Sequence, residues 1–188
     1  MSRDREQTPS VPKRVALLRG VNLGGGRTVP MARLREVAAT LGWRDVATHL
    51  QSGNLLFRAD GSPAELAAEL STALRAELGI AVDVVIRTGA ELGALLDAHP
   101  FADGDPSRTV IACCDRPVGE LAARRLADLA TGAERVQVAE TGADIYAAFP
   151  DGQAASRLAA GLVTSVRPAT GTARNLRTIA KLVELAGD

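Results

Sequence analysis

The densest run of candidate chemistry follows the first apolar stretch: Arg19-Gly20-Val21-Asn22-Leu23-Gly24-Gly25-Gly26-Arg27-Thr28. Glycines let successive backbone N–H groups converge on an anion, and a following helix N-terminus adds partial positive charge. Arg19, Asn22, Gly24, Gly25, Gly26 and Arg27 are therefore candidate binding residues for a phosphate group. The stretch is not a true P-loop. In GxxxxGK[ST] the first glycine would fall at Val21, the lysine position holds Arg27, and the helix is expected to start only at Pro30. The plain alternative is a flexible strand-to-helix connection whose glycines satisfy tight turns.

A second group, Thr172, Arg174, Asn175, Arg177, Thr178 and Lys181, crowds the start of the last helix. Arg174, Thr178 and Lys181 fall at i, i+4 and i+7, on one helical face. Arg174, Asn175 and Lys181 join the candidate ligand set as a basic stripe. The competing reading is helix capping, by Thr172 or the Arg174–Asn175 pair, with solvated charge. Net charge is zero overall, yet both ends are basic. Residues 1–27 carry six cations against Asp4 and Glu6, and residues 153–188 carry five against Glu184 and Asp188. If the ends meet in space they create a local positive field; otherwise they are scattered, solvated charges.

Other chemistries find little support. His49 and His99 are far apart, no Cys-x-x-Cys or HExxH occurs, and no metal site is expected. No GxSxG motif is present. Cys113 and Cys114 are adjacent, so in a strand they point to opposite faces and read as small core residues without a disulfide. Reduced thiols and the absence of an export signal predict a cytoplasmic protein. His49 reads as a surface or inter-domain hydrogen bonder sharing a strand face with Gln51. Gln51-Ser52-Gly53-Asn54 is turn chemistry, expected at the opposite end of the sheet from the glycine loop.

These residues need a scaffold, and 188 residues suffice for one large or two small domains. Hydrophobic residues make up 46% and aromatics 3%, so the core must be Ala, Leu and Val. No apolar run approaches the roughly 20 residues of a membrane span. Residues 1–12 read as a frayed polar tail. Val15–Leu18 is a buried strand; Pro30 suits the first turn of a helix carrying Met31, Leu34, Val37, Ala38 and Leu41 on one face, stopped by Gly42. Val46–Leu50 and Leu55–Ala59 form a hairpin. Ser62, Pro63 and Glu65 cap a second helix ended by Gly79, and Ile80–Arg87 is a strand. Residues 13–88 are thus β-α-β-β-α-β, the ferredoxin-like arrangement.

Glu91–His99 is a short helix within a connector spanning 89–108. Residues 109–188 then give a strand Thr109–Cys114 and a helix Val118–Leu129 using Leu121, Ala122, Leu126 and Leu129. A hairpin, Arg135–Ala139 with Asp144–Phe149, follows, then helices Ser156–Thr164 and Asn175–Ala186. The expected fold is α+β, with two ferredoxin-like (α/β plait) halves: a full βαββαβ and a βαββα variant closed by a C-terminal helix. The pattern recurs in elements without a visible residue-level repeat.

LLRGVNLGGGRTVPMARLREVAATLGW, THLQSGNLLF and TARNLRTIAKLVELA, in that order, resemble the signature of the DUF1697 family of uncharacterised bacterial proteins over about Val15 to Leu185. The resemblance implies two α/β-plait halves and no particular activity. The family commonly has a lysine in the glycine loop and a tryptophan after the Arg-Asn pair; Arg27 and Leu176 stand there. Leu176 lacks the aromatic surface that would stack on a ligand. The leading functional expectation is binding, with or without transformation, of a phosphate-bearing small molecule or nucleotide at the glycine loop. A nucleic-acid module on an open plait sheet is the first alternative, weakened by a pI near 6.7 and few aromatics. A non-catalytic dimeric interaction protein is the second. Whether the chain is an enzyme, a monomer or a homodimer stays open, and no cofactor or membrane association is expected.

Overall fold

A computed structural model describes residues 11–23 and 28–187. Gly24–Arg27 and most of the expected N-terminal tail lie outside the described residues. The first half runs β1 (Lys13–Leu18), α1 (Met31–Thr40), β2 (Arg44–His49), β3 (Asn54–Arg58), α2 (Pro63–Leu78) and β4 (Val84–Thr88). After α3 (Gly89–Asp97) come β5 (Thr109–Cys114), α4 (Glu120–Leu129), β6 (Arg135–Val138), β7 (Asp144–Ala148), α5 (Arg157–Gly161), β8 (Gly171–Asn175) and α6 (Leu176–Ala186).

Two antiparallel four-stranded sheets result, ordered β2-β3-β1-β4 and β6-β7-β5-β8. Local signals set several boundaries as expected. Ser62 accepts from the Glu65 N–H in a capping box, Pro63 opens α2, and Gly79 closes it at φ 68°. Pro30 differs by one place: it is the extended residue flanking α1 and lies outside its first turn. The Ile80–Arg87 strand begins only at Val84. Leu121, expected on the apolar face of α4, is exposed, and that face is formed by Ala122 and Leu126.

The larger correction is β8. The second half does not pass from helix to helix; residues 171–175 form a strand paired with β5. Gly-Thr-Ala-Arg-Asn carries turn and capping residue types, and only long-range pairing makes it extended. Asn175 still caps α6, accepting from the Thr178 N–H at 2.9 Å. The second half is therefore also β-α-β-β-α-β, followed by α6 as the first is followed by α3.

Helices α1 and α2 cover one face of the first sheet, where Leu34, Leu70 and Leu74 meet Ala16, Leu55 and Phe57. Helices α4 and α5 cover the second sheet likewise, through Leu126 and Leu158 on Ala112 and Ala147. The remaining faces share one core with α3 and α6, combining Val15, Leu56 and Val85 with Leu92, Ile111, Tyr146, Ile179 and Leu182. Helix α3 is thus far more than a connector, and Leu176 is buried in this layer. Gly89 permits its approach to α6, since a Cβ there would lie 2.8 Å from the Ala186 Cβ.

Cys113 faces the shared core and Cys114 the α4–α5 side, which fulfils the opposite-face expectation. Burial pushes both thiols up, Cys114 to about 12 and Cys113 further. Among the described residues no helix is long and apolar enough to cross a membrane.

Three outcomes follow from this packing. Gly89→Ala forces α3 off α6 and should destabilise the protein by about 1–3 kcal/mol in urea unfolding. Native protein at neutral pH should resist thiol alkylation until denaturant is added. Because the folded thiols hold their protons above the ordinary thiol value, they contribute stability below about pH 9. That stability should decline as pH rises further toward the folded values, by less in Cys113→Ala and Cys114→Ala.

Candidate functional site

The expected anion-site residues that the structure describes are engaged with protein. Arg19 pairs with Asp83 at 3.4 Å. Asn22, at φ 58°, donates from Nδ2 to the Val29 and Gln51 carbonyls (3.0 and 2.6 Å) and accepts from the Val29 N–H at 2.9 Å. It thereby closes the neck of the glycine loop. Lys181 pairs with Glu184 one turn along α6. Asn175 is the cap already described.

Arg174 is buried, and every guanidinium nitrogen is used. Nε donates to the Asn54 Oδ1 at 2.6 Å, and Nη1 to the Thr172 Oγ1 and the Ala173 carbonyl at 2.8 Å each. Nη2 donates to the carbonyls of Leu18, Ser52 and Gly53 at 2.8, 2.8 and 3.2 Å. Burial lowers its pKa to about 10. The arginine expected on a ligand-facing basic stripe is therefore the bolt between the two halves.

The structure brings Asn22 and Arg174 together on the 51–53 turn. The hairpin tip therefore lies at the same end of the sheet as the glycine loop, contrary to expectation. Strand β3 runs antiparallel to β1, so β3 starts where β1 ends: Leu17 is opposite Asn54, and the Leu18 N–H donates to the Gly53 carbonyl at 2.8 Å. At Gly53, φ is +77° and a Cβ would lie 2.6 Å from Val21. The chain ends also meet, with the Lys13 Nζ donating to the Leu185 carbonyl at 2.8 Å. Arg177 lies 3.7 Å from Asp105, so Arg19, Arg177 and Lys181 each have an acidic partner.

Strand register reveals a counterpart to Arg174. Leu18 pairs with Val84 as Cys114 pairs with Gly171, and Leu17 faces Asn54 as Cys113 faces Asp144. Counting from those pairs, Arg87 corresponds to Arg174 and Asp144 to Asn54. Arg87 makes the matching bonds: to the Cys114 carbonyl at 2.6 Å, the Ile86 carbonyl at 2.9 Å and the Asp144 Oδ1 at 2.9 Å. The Asp144 Oδ2 accepts from the Thr141 hydroxyl at 2.9 Å. Each half thus sends the arginine of its last strand into the hairpin of the other.

Beside the Arg87–Asp144 pair lies a cleft of about 500 Å³ between α3 and the β6–β7 hairpin. Ala94, Leu95, Ala98 and Ala143 form its apolar wall; Glu91, Gln137, Glu140, Asp144 and Tyr146 bring polar groups. Tyr146 is only 3% exposed, yet its hydroxyl has no hydrogen-bond partner among the described residues. Its pKa is raised, first by burial and then chiefly by Asp144. Its ring rests on His99 (centroids 4.5 Å apart), whose Nδ1 accepts from the Phe101 N–H and whose Nε2 lies 3.2 Å from the Val110 carbonyl. Those partners define a neutral imidazole with the proton on Nε2, and burial lowers its pKa. At the matching place around Arg174 there is a shallower recess of about 340 Å³ lined by Leu50, Ser52, Asn175 and Thr178.

No cleft residue belonged to the expected set. One signal was present in the chain: Thr88-x-x-Glu91 is a capping box, which anchors α3 directly after Arg87. Nothing local marks Tyr146 as lacking a partner. Among the described residues no three His, Cys, Asp or Glu side chains gather in a way that could hold a metal ion.

The fold and cleft define an α+β protein, with two four-stranded antiparallel sheets and six helices around a shared core among the described residues. Residues 11–146 match the family described as Protein of unknown function (DUF1697), and the chain belongs to it. The conserved bacterial protein SP0830 from Streptococcus pneumoniae has a similar structure, with TM-score 0.69 and 22% identity. That similarity covers 93% of this chain and 98% of the other, and it establishes likeness of fold. No curated protein matches.

Breaking the Arg87–Asp144 pair should test its structural share. Asp144→Ala leaves a mostly buried guanidinium without its counter-charge and should cost about 3–5 kcal/mol in urea unfolding. Asp144→Asn should cost clearly less, because Asn54 holds Arg174 in the equivalent place through one amide oxygen.

Proposed function

We propose that this protein binds a small polar molecule in the cleft between α3 and the β6–β7 hairpin. The observation that carries this reading is Tyr146, a buried side chain on the wall of a cavity of about 500 Å³, whose hydroxyl has no protein partner among the described residues. Ligand sites are concave, mostly apolar and supplied with a few convergent polar groups, which is the composition of this cleft. A hydroxyl open to the cleft and unused by the protein is available to hydrogen-bond a ligand there. We read the scaffold around it as two ferredoxin-like halves, the second completed by β8.

Two other readings receive less support. Phosphate binding at the glycine loop rests on the sequence, and the described cations named for it are committed to protein partners. A nucleic-acid surface would need an open sheet with stacking aromatics, whereas helices and the shared core cover both faces of each sheet.

Chemical-shift mapping with a library of small polar metabolites should perturb amides of α3, β6 and β7. Ala94→Trp, which fills the cleft, should weaken any hit at least about tenfold. Shifts from inorganic phosphate or nucleotides centred on residues 19–29, with none in the cleft, would overturn this assignment.

A further inference from the structure

We infer that the cleft is selective for a cationic ligand, a small organic amine or guanidine with a short hydrocarbon body. The inference rests on the cleft being a ligand site, as proposed above. Three carboxylates, Glu91, Glu140 and Asp144, line the cavity against one guanidinium, Arg87. That guanidinium has its charge countered by Asp144, and both Nη2 hydrogens are spent on Asp144 and the Cys114 carbonyl. Both oxygens of Asp144 are likewise taken, by Arg87 and Thr141.

The carboxylates differ in what remains free. Glu91 uses Oε2 to accept from the Thr88 N–H at 2.7 Å and the Thr88 hydroxyl at 3.0 Å, which fixes its position at the head of α3. Its other oxygen has no partner among the described residues. Glu140 is exposed, with neither oxygen partnered among them. The helix terminus would otherwise attract an anion, but its N–H of Glu91 is already bonded to the Thr88 hydroxyl at 3.1 Å.

An acidic group of side chains alone would not define a ligand. The independent observation is Tyr146, buried against the same cavity with a free hydroxyl oxygen that can accept a hydrogen bond from an ammonium. The negative field around it, to which Asp144 and Glu140 both contribute, disfavours phosphate or carboxylate and favours a cation. Ala94, Leu95, Ala98 and Ala143 supply the surface for a hydrocarbon body. A length of a few methylenes or one ring suits a cavity of about 500 Å³.

The experiment is NMR titration of the full chain with matched probes: butylamine, phenethylamine and agmatine against butanol, phenethyl alcohol, butyrate and inorganic phosphate. The expected result is saturable shifts in α3, β6 and β7 with amines, and binding about tenfold or more weaker for the matched alcohols. Glu140→Gln should weaken the amines about tenfold and leave the alcohols unchanged, while Tyr146→Phe should weaken amines about threefold. Alcohols binding in the cleft as tightly as amines, or butyrate or phosphate binding there more tightly, would overturn the charge selectivity while the cleft stands as a site. Absence of cleft shifts with every probe would overturn both.

Discussion

The structure depends on a buried positive charge placed where two halves of the chain meet. Arg174 leaves water to bind three carbonyls of the first half, together with Asn54, from a strand of the second. Burying a guanidinium costs several kcal/mol, and charge-assisted hydrogen bonds return a comparable amount only when nearly every donor is filled. The gain is therefore chiefly positional. Sliding one sheet against the other by a single residue would strand that charge, so the docking of the halves tolerates little variation. Thr172 reinforces it, its hydroxyl lying 3.3 Å from the same Leu18 carbonyl.

From that constraint the cleft follows. Arg87 repeats the contact in the opposite direction and pins the β6–β7 hairpin against the first half. Helix α3 begins two residues later and must run along the shared core toward α6, with Gly89 allowing close passage. A hairpin on one side and a helix on the other leave a gap that small alanine side chains do not fill. The cavity is a by-product of geometry; its charge is set by the residues at Glu91, Glu140 and Asp144.

How much of this could be read in advance depends on the range of the forces involved. Ser62-Pro63-Glu65 and the terminal Gly79 act within one helix, and they were legible. The apolar run Val15–Leu18 and the opposed faces of Cys113 and Cys114 were legible for the same reason. Strand β8 was not, because Gly, Ala and Asn are poor strand formers locally, and only pairing with β5 extends them. The meeting of the hairpin tip and glycine loop was available in principle from the antiparallel relation of β1 and β3. The kinship of Arg87 and Arg174 was hidden because VVIRTGAEL and GTARNLRTI share little but that arginine. Register is what aligns them. An unpartnered tyrosine hydroxyl is a property of its surroundings, and no single-residue pattern encodes it.

Having both docking contacts within one polypeptide has a consequence for how such a molecule can specialise. In an assembly of identical subunits, a substitution at one contact appears at its mate as well, and any cost is doubled. A single chain has no such tie. Asp144 can carry a charge while the matching Asn54 does not, and Glu140 and Glu91 can stand where Leu50 and Thr178 stand opposite. One recess can then keep an uncountered arginine that holds the framework closed while the other diverges toward recognition. The backbone has a nearly two-fold plan, but its chemistry is one-sided.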